Sequence, residues 1–319
     1  MTMWHDAFHF PSLVWDWPIA IYLFLLGISA GATSLSVLLR RKGAGSESGI
    51  IKATAILAPV SVVLGLLILI FHLARPWTFW KLMFHYQFDS VMSMGVMLFQ
   101  VYMAVLFAWL AVVFRTEIET LRSRLLKEKF AFVDGLIAWL ARIEQLLAPL
   151  LLLLAVLLGA YTGFLLSALK TYPLLNNPVL PVLFLVSGIS SGIASTILLA
   201  VTLFKENHHS QGVSFVHRFE RPVLVVEVLL LVCFFTGLYF GGGQKEVAMW
   251  AAIGNGFWAQ VFWLGVVGIG MLLPQLVGLL APAPLRAKSG YLVLVCSLTL
   301  VGILLLRYFV LYAGQMTVV

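Results

Sequence analysis

Eight stretches of this 319-residue chain are each long and apolar enough to cross a bilayer, and that feature leaves few folds open. Hydrocarbon offers no hydrogen-bond partner to a peptide group, so a crossing segment must satisfy its own backbone, and a helix needs about 20 residues to do so. The runs fall at Trp17–Leu39, Ile51–Leu73, Val91–Phe114, Gln145–Leu169, Val179–Phe204, Pro222–Phe240, Phe257–Leu280 and Gly290–Tyr312. The expected fold is an all-α polytopic membrane protein with eight transmembrane helices. Only 10% of the residues are charged, against about a quarter in soluble domains, which excludes an ordinary soluble enzyme. The start of the chain, with Trp4, His5 and Asp6 and no basic segment before a full-length apolar run, reads as no cleavable signal peptide.

The net charge of +7 is a topology signal rather than a nucleic-acid signal. Loops facing the cytoplasm carry the excess of Lys and Arg. One side of the eight-span layout collects fifteen of the twenty basic residues, among them Arg40, Arg41, Lys42, Lys52, Lys205, Arg218, Arg221, Arg286, Lys288 and six in the third loop. The other side holds four, Arg75, Lys81, Lys170 and Lys245, and Arg307 lies inside the last run. Both termini are therefore expected outside, which is periplasmic for a multi-pass protein of a bacterial inner membrane. The segment Phe130–Leu140 is too short for a ninth crossing, contains Asp134 and follows Ile118, Leu121 and Leu125 at helical spacing. It reads as an amphipathic surface helix.

The chain also resembles itself at an offset of about 160 residues by inspection of the sequence. Leu23–Leu26 followed by Gly27-Ile28-Ser29-Ala30-Gly31 matches Leu183–Val186 followed, after Ser187, by Gly188-Ile189-Ser190-Ser191-Gly192. Pro59-Val60-Ser61-Val62-Val63 matches Pro222-Val223-Leu224-Val225-Val226, and Gln100-Val101-Tyr102 matches Gln260-Val261-Phe262. Four crossings return the chain to its starting side, so the repeats would be parallel: two tandem four-helix bundles, residues 1–170 and 171–319. Small residues spaced as in GxxxG permit close helix approach.

Ionisable groups inside a membrane are costly, so their placement is informative. The layout gathers Asp16, Tyr22, His72, Arg75, Asp89 and Tyr161 at the outer ends of the first four spans. Each has a plainer reading. Trp15, Trp17 and Trp77–Trp80 suit an aromatic belt at the headgroups, Arg75 and Asp89 a structural ion pair, and His72 the end of a helix. Tyr161, two turns deep within Gly159-Ala160-Tyr161-Thr162-Gly163, is the least easily read as interfacial. In the second half, Glu227 is placed one turn inside the cytoplasmic end of its span, with Arg218 or Arg221 as partner, and Arg307 as a residue that snorkels outward. Gly241–Gly243 reads as a turn.

Several chemistries lack their residues. Of seven histidines only His72 falls within a span, so no bis-imidazole haem pair is available, and Cys233 and Cys296 are too few to hold a cluster. The sequence contains no CxxCH, Walker, GxSxG or HExxH motif. No haem, iron–sulfur cluster, flavin or metal is expected.

At Trp15-Asp16-Trp17-Pro18-Ile19-Ala20-Ile21-Tyr22, His72-Leu73-Ala74-Arg75-Pro76, Asp89-Ser90-Val91-Met92-Ser93-Met94-Gly95 and Tyr161-Thr162-Gly163-Phe164-Leu165-Leu166 the chain resembles the NrfD/PsrC family of membrane subunits, over essentially its whole length. The similarity is greatest to the branch serving nitrite reduction to ammonia. That resemblance implies a cofactor-free subunit exchanging electrons between quinol, menaquinol above all, and a periplasmic four-cluster iron–sulfur subunit in anaerobic respiration, with multihaem c-type cytochromes further along. It implies a quinone pocket in the first bundle near the outer face. Tyr22 stands where a polysulfide-reductase relative has a quinone-contacting histidine, and Tyr161 matches a tyrosine contact. Ile19 replaces an asparagine of some relatives, and Val91 a frequent proline.

The polar map is compatible with that chemistry. Tyr22 and Tyr161 are expected to hold the quinone oxygens, and His72 or Asp89 to accept a proton. Arg75, Asp16 and Trp15 complete the binding residues, the last two as a docking rim. A passive anchor of a periplasmic oxidoreductase and a secondary transporter stand as alternatives, the transporter disfavoured because the polar groups lie near one face and not at the midplane.

Overall fold

A computed structural model describes residues 6–125, 132–205, 211–282, 285 and 288–318. Trp4, His5, Lys127, Lys129, His208, His209 and Arg286, used in the sequence reading, lie outside the described residues. The described residues are helical or irregular, without strands, and eight helices are long and apolar enough to cross a membrane. They are α1 (Trp17–Arg41), α2 (Gly49–His72), α3 (Val91–Val113), α4 (Glu144–Ser167), α5 (Leu180–Thr202), α6 (Gln211–Gly241), α7 (Phe257–Leu280) and α8 (Ser289–Gln315).

Local signals set several ends. Pro18 occupies the first turn of α1 and Pro181 that of α5, where a missing N–H costs nothing. The Ser90 hydroxyl caps α3 by accepting from the Ser93 N–H. Interior prolines do not break these helices: Pro59, Pro149 and Pro222 lie within α2, α4 and α6. Packed neighbours in a membrane protein tolerate the freed carbonyl. Pro222 therefore does not open its helix, and the early start of α6 moves Glu227 from one turn inside an end to the middle of the helix. The segment Phe132–Arg142 is a separate 11-residue helix, tied to the preceding Arg115–Leu125 helix by Arg122 and Asp134. It buries Ile137 while exposing Phe132, Leu136 and Trp139, as a surface helix does.

Helices α1 and α5 form the centre. Helix α1 packs on α2, α4, α5 and α8, and α5 on α1, α2, α4, α6 and α8. Their contact follows from small residues. A Cβ on Gly27 would stand 3.2 Å from the Gly188 Cα, and one on Gly192 would strike the backbone of Gly31 and Ala32. Helix α3 rests on α4 but scarcely touches α2, so α2 and α3 diverge. Helix α7 winds as a π-helix over Val261–Leu272, and its Gly270 meets Gly302 of α8 backbone to backbone.

One irregular segment crosses between the halves. Gln315, at the end of α8, accepts from the N–H groups of Val14 and Trp15 at 2.9 Å each. Its amide donates to the Trp15 carbonyl at 2.8 Å, and its own carbonyl receives the Ser12 hydroxyl at 2.5 Å. The Tyr172 hydroxyl donates to Ser12 O at 2.8 Å, the Trp258 indole to Ala7 O at 3.0 Å, and Phe8 packs edge-on to Tyr312. Replacing Gln315 with alanine removes its side-chain bonds and is expected to cost about 1–2 kcal/mol. Limited proteolysis is then expected to cut within residues 6–16 several-fold faster than in the parent chain.

Candidate functional site

Tyr22 of α1 and Tyr161 of α4 meet inside the first four helices. They are 1% and 7% exposed, and the two phenols lie close enough for each to act on the other electrostatically. The Phe99 ring of α3 is edge-on to both, at 6.3 Å from the Tyr22 centroid and 5.4 Å from that of Tyr161. Two glycines make the space. Gly65 of α2 would place a Cβ 3.5 Å from the Tyr22 ring, and a Cβ on Gly95 of α3 would collide with the Tyr161 hydroxyl. Four helices thus converge on two phenols, and of these α2 and α3 make little contact with each other.

Above this buried tier lies a wetter one. His72, at the end of α2, places Nε2 3.4 Å from Oδ1 of Asp16, which precedes α1, and both side chains are about a third exposed or more. Trp15 is half-buried, its backbone held by Gln315. Arg75 and Asp89 are exposed and form no ion pair with one another. The structure therefore groups Tyr22 with Tyr161, and Asp16 with His72, while Arg75 and Asp89 stand apart on the segment between α2 and α3. Trp77 and Trp80 of that segment are 87% and 50% exposed, the setting a headgroup belt requires.

Sequence reasoning missed three contributors. Phe99 reads as one more apolar residue of a span, and Gly65 as a packing glycine. Gly95 lies in a motif that was legible, but its role as the floor beneath Tyr161 needs coordinates. Tyr102, noted only in the repeat, is a structural pin: its hydroxyl meets Ser29 Oγ at 2.8 Å and Thr33 Oγ1 at 2.7 Å, and Ser29 Oγ donates to Ala58 O at 2.7 Å. Glu227 is buried, and the charge that acts on it is Arg307 of α8, not the exposed Arg221. Arg307 does not snorkel. It is fully buried, donates to the Phe184 carbonyl at 3.0 Å and lies 3.8 Å above the Phe184 ring.

Eight apolar helices around a buried pair of phenols define a polytopic membrane protein, and among the described residues no group of three or more His, Cys, Asp or Glu side chains stands close enough to hold a metal ion. The chain belongs to the family described as "Polysulphide reductase, NrfD", whose profile matches residues 5–319. It is 56% identical over 317 residues to "Protein NrfD" of Escherichia coli, covering 98% of each protein. It is 52% identical over 314 residues to "Protein NrfD homolog" of Haemophilus influenzae, covering 98% of this chain and 97% of the relative. To a polysulfide reductase subunit of Wolinella succinogenes it is 41% identical over 321 residues, with 98% of each covered. Membership of this family implies work alongside other subunits of an oxidoreductase complex.

Proposed function

We propose that this chain oxidises quinol, menaquinol first among them, at the Tyr22–Tyr161 pair and delivers the electrons to a periplasmic four-cluster iron–sulfur subunit. In this reading it sits in a bacterial inner membrane with both termini periplasmic, and the electrons travel on through multihaem c-type cytochromes toward nitrite. Residues 1–170 form the quinone-binding bundle, and residues 171–319 a parallel repeat of it. The same pairings of first helix with second, first with fourth and third with fourth recur in both halves, which supports the repeat.

The observation that carries the proposal is the buried pair of phenols, Tyr22 and Tyr161, enclosed by four helices of which α2 and α3 make little contact with each other. A quinol head needs a hydrogen-bond partner at each oxygen, and its isoprenoid tail needs an apolar exit into lipid. Tyr22 and Tyr161 supply the partners, and the divergence of α2 and α3 supplies the exit. Oxidation releases two electrons and two protons. The protons pass toward the His72–Asp16 pair and outer water, an imidazole and a carboxylate being groups that accept and release protons in catalysis. Asp89 and Arg75 serve the outer rim with Trp15 and Asp16, where the partner docks and the electrons leave.

Since electrons and protons exit on one side, turnover separates almost no charge across the membrane. The complex with its iron–sulfur partner, reconstituted in liposomes with a potential-sensitive dye and an added water-soluble electron acceptor, is expected to oxidise menaquinol with no build-up of potential. Turnover with a sustained potential would overturn this geometry. Assembly with the partner but no quinol oxidation would overturn the proposed activity.

A further inference from the structure

A second polar feature lies outside the site described above. Helices α5, α6, α7 and α8 enclose a cavity of about 60 Å³, room for a few water molecules. Its walls are apolar except for Ser190, Glu220, Glu227, Gln275, Cys296 and Thr299. It adjoins the π-wound part of α7, since Val266, Gly270 and Met271 also line it. Such windings widen a helix and recur at functional positions.

The polar residues are ordered along the membrane normal. Glu220 lies toward the end of the bundle opposite both termini, as does Gln275 near the end of α7, while Cys296 and Thr299 stand about two and three turns into α8. Glu227 lies two turns deeper, at the middle of α6, and is 3% exposed. Beyond it is Arg307, fully buried, whose Nε and Nη1 have no hydrogen-bond partner. Its remaining nitrogen reaches the Phe184 carbonyl and stands against Gly27, at the contact of α1 with α5. A buried arginine with two unmet donors is expensive unless water or a counter-charge serves it, and an acid at mid-membrane depth is a functional-site candidate by default.

We propose that the cavity is a hydrated proton inlet from the face opposite the termini, and that Glu227 is the proton-binding residue at its inner end. Water in the cavity hydrates Glu227, which lines it. A proton arriving from bulk water converts the Glu227 carboxylate to the acid and so removes the negative charge that acts on Arg307, which stands beside the α1–α5 contact. No electron or other reactant takes part. The charged or titratable groups facing Glu227 are Glu220 on its own helix and Arg307 and Cys296 on α8. The cavity-lining residues of α5 and α7 contribute only the uncharged polar side chains Ser190 and Gln275.

The inlet is independent of the quinone reading and is tested without turnover. In a chain with Cys233→Ser and Cys296→Ser, Thr299→Cys is expected to react with a small membrane-impermeant methanethiosulfonate applied from the face opposite the termini, and not from the other. In the purified full chain, infrared difference spectra recorded across a pH titration are expected to show a carboxylic-acid band that Glu227→Gln abolishes. If that variant fails to accumulate, Glu227→Asp replaces it and is expected to shift the band. Absence of labelling from that face, or a band unchanged by the Glu227 substitution, overturns the proposal.

Discussion

Phenylalanine at position 161 lowers quinol-linked electron delivery about a hundredfold, the range of a lost acid–base or orienting hydroxyl in an active site. The substitution keeps the ring that Phe99 packs against and removes only the hydroxyl oxygen. Packing and partner assembly should therefore survive. Tyr22→Phe is expected to give a loss of the same order, and the double variant little more than either alone, because in the proposed function the two hydroxyls hold one quinol head between them. Gly95→Ala gives a third route to the same defect, since its methyl group displaces the Tyr161 hydroxyl without touching the tyrosine's identity. The measurement is quinol oxidation by membranes containing the assembled complex, normalised to the amount of partner retained. A passive anchor predicts full activity in all of these variants, and that result would remove the quinone site from this pair.

The largest expected effect on folding comes from leucine at position 192. Gly192 lies against the backbone of Gly31 and Ala32, and Gly31 against that of Gly188, Ile189 and Gly192. Backbone atoms cannot swing aside as the tip of a side chain can. Helices α1 and α5 must separate, and α1 also carries Tyr22 and much of the packing of the first half. Overpacking of this kind costs about 3 kcal/mol or more. Most of the chain is then expected to be lost from the membrane fraction, as judged by fluorescence of a fused reporter. Gly237→Leu is the control: a Cβ at Gly237 meets nothing within 4 Å, and accumulation should match the parent. Equal accumulation of the two variants would show that the α1–α5 contact is not limiting.

Much of this architecture was legible because bilayer thickness is an external ruler. The eight spans, the surface placement of Phe132–Arg142 and the turn at Gly242 and Gly243, both at positive φ, follow from apolar run length, charge and glycine. Proline misled the reading of α6. The residue is a helix stop in water, yet inside a packed membrane protein it sits within a helix; the membrane-crossing part begins at Phe219, which places Glu227 about two turns inside the span instead of one. The positive-inside count says on which side a loop lies but not which way a side chain turns, so Arg307 reads as an outward-reaching group when it is fully buried. Likewise, run positions bring Asp16, His72, Tyr22, Tyr161, Arg75 and Asp89 to one end of the bundle. Only helix rotation and loop geometry separate the buried phenols and the Asp16–His72 pair from the two exposed charges. The 3.6-residue period carries little information when nearly every position of a span is apolar.

If the proposed function holds, the fastening of Val14 and Trp15 by Gln315 bears on electron passage. A rim residue pinned to the far half of the molecule cannot drift when a carrier arrives or leaves. For an electron tunnelling outward across that rim, the gap to a docked acceptor stays constant through the catalytic cycle. Rate is then governed by driving force and occupancy, and loosening the Gln315 latch should broaden the distribution of transfer times even where the mean number of turnovers is preserved.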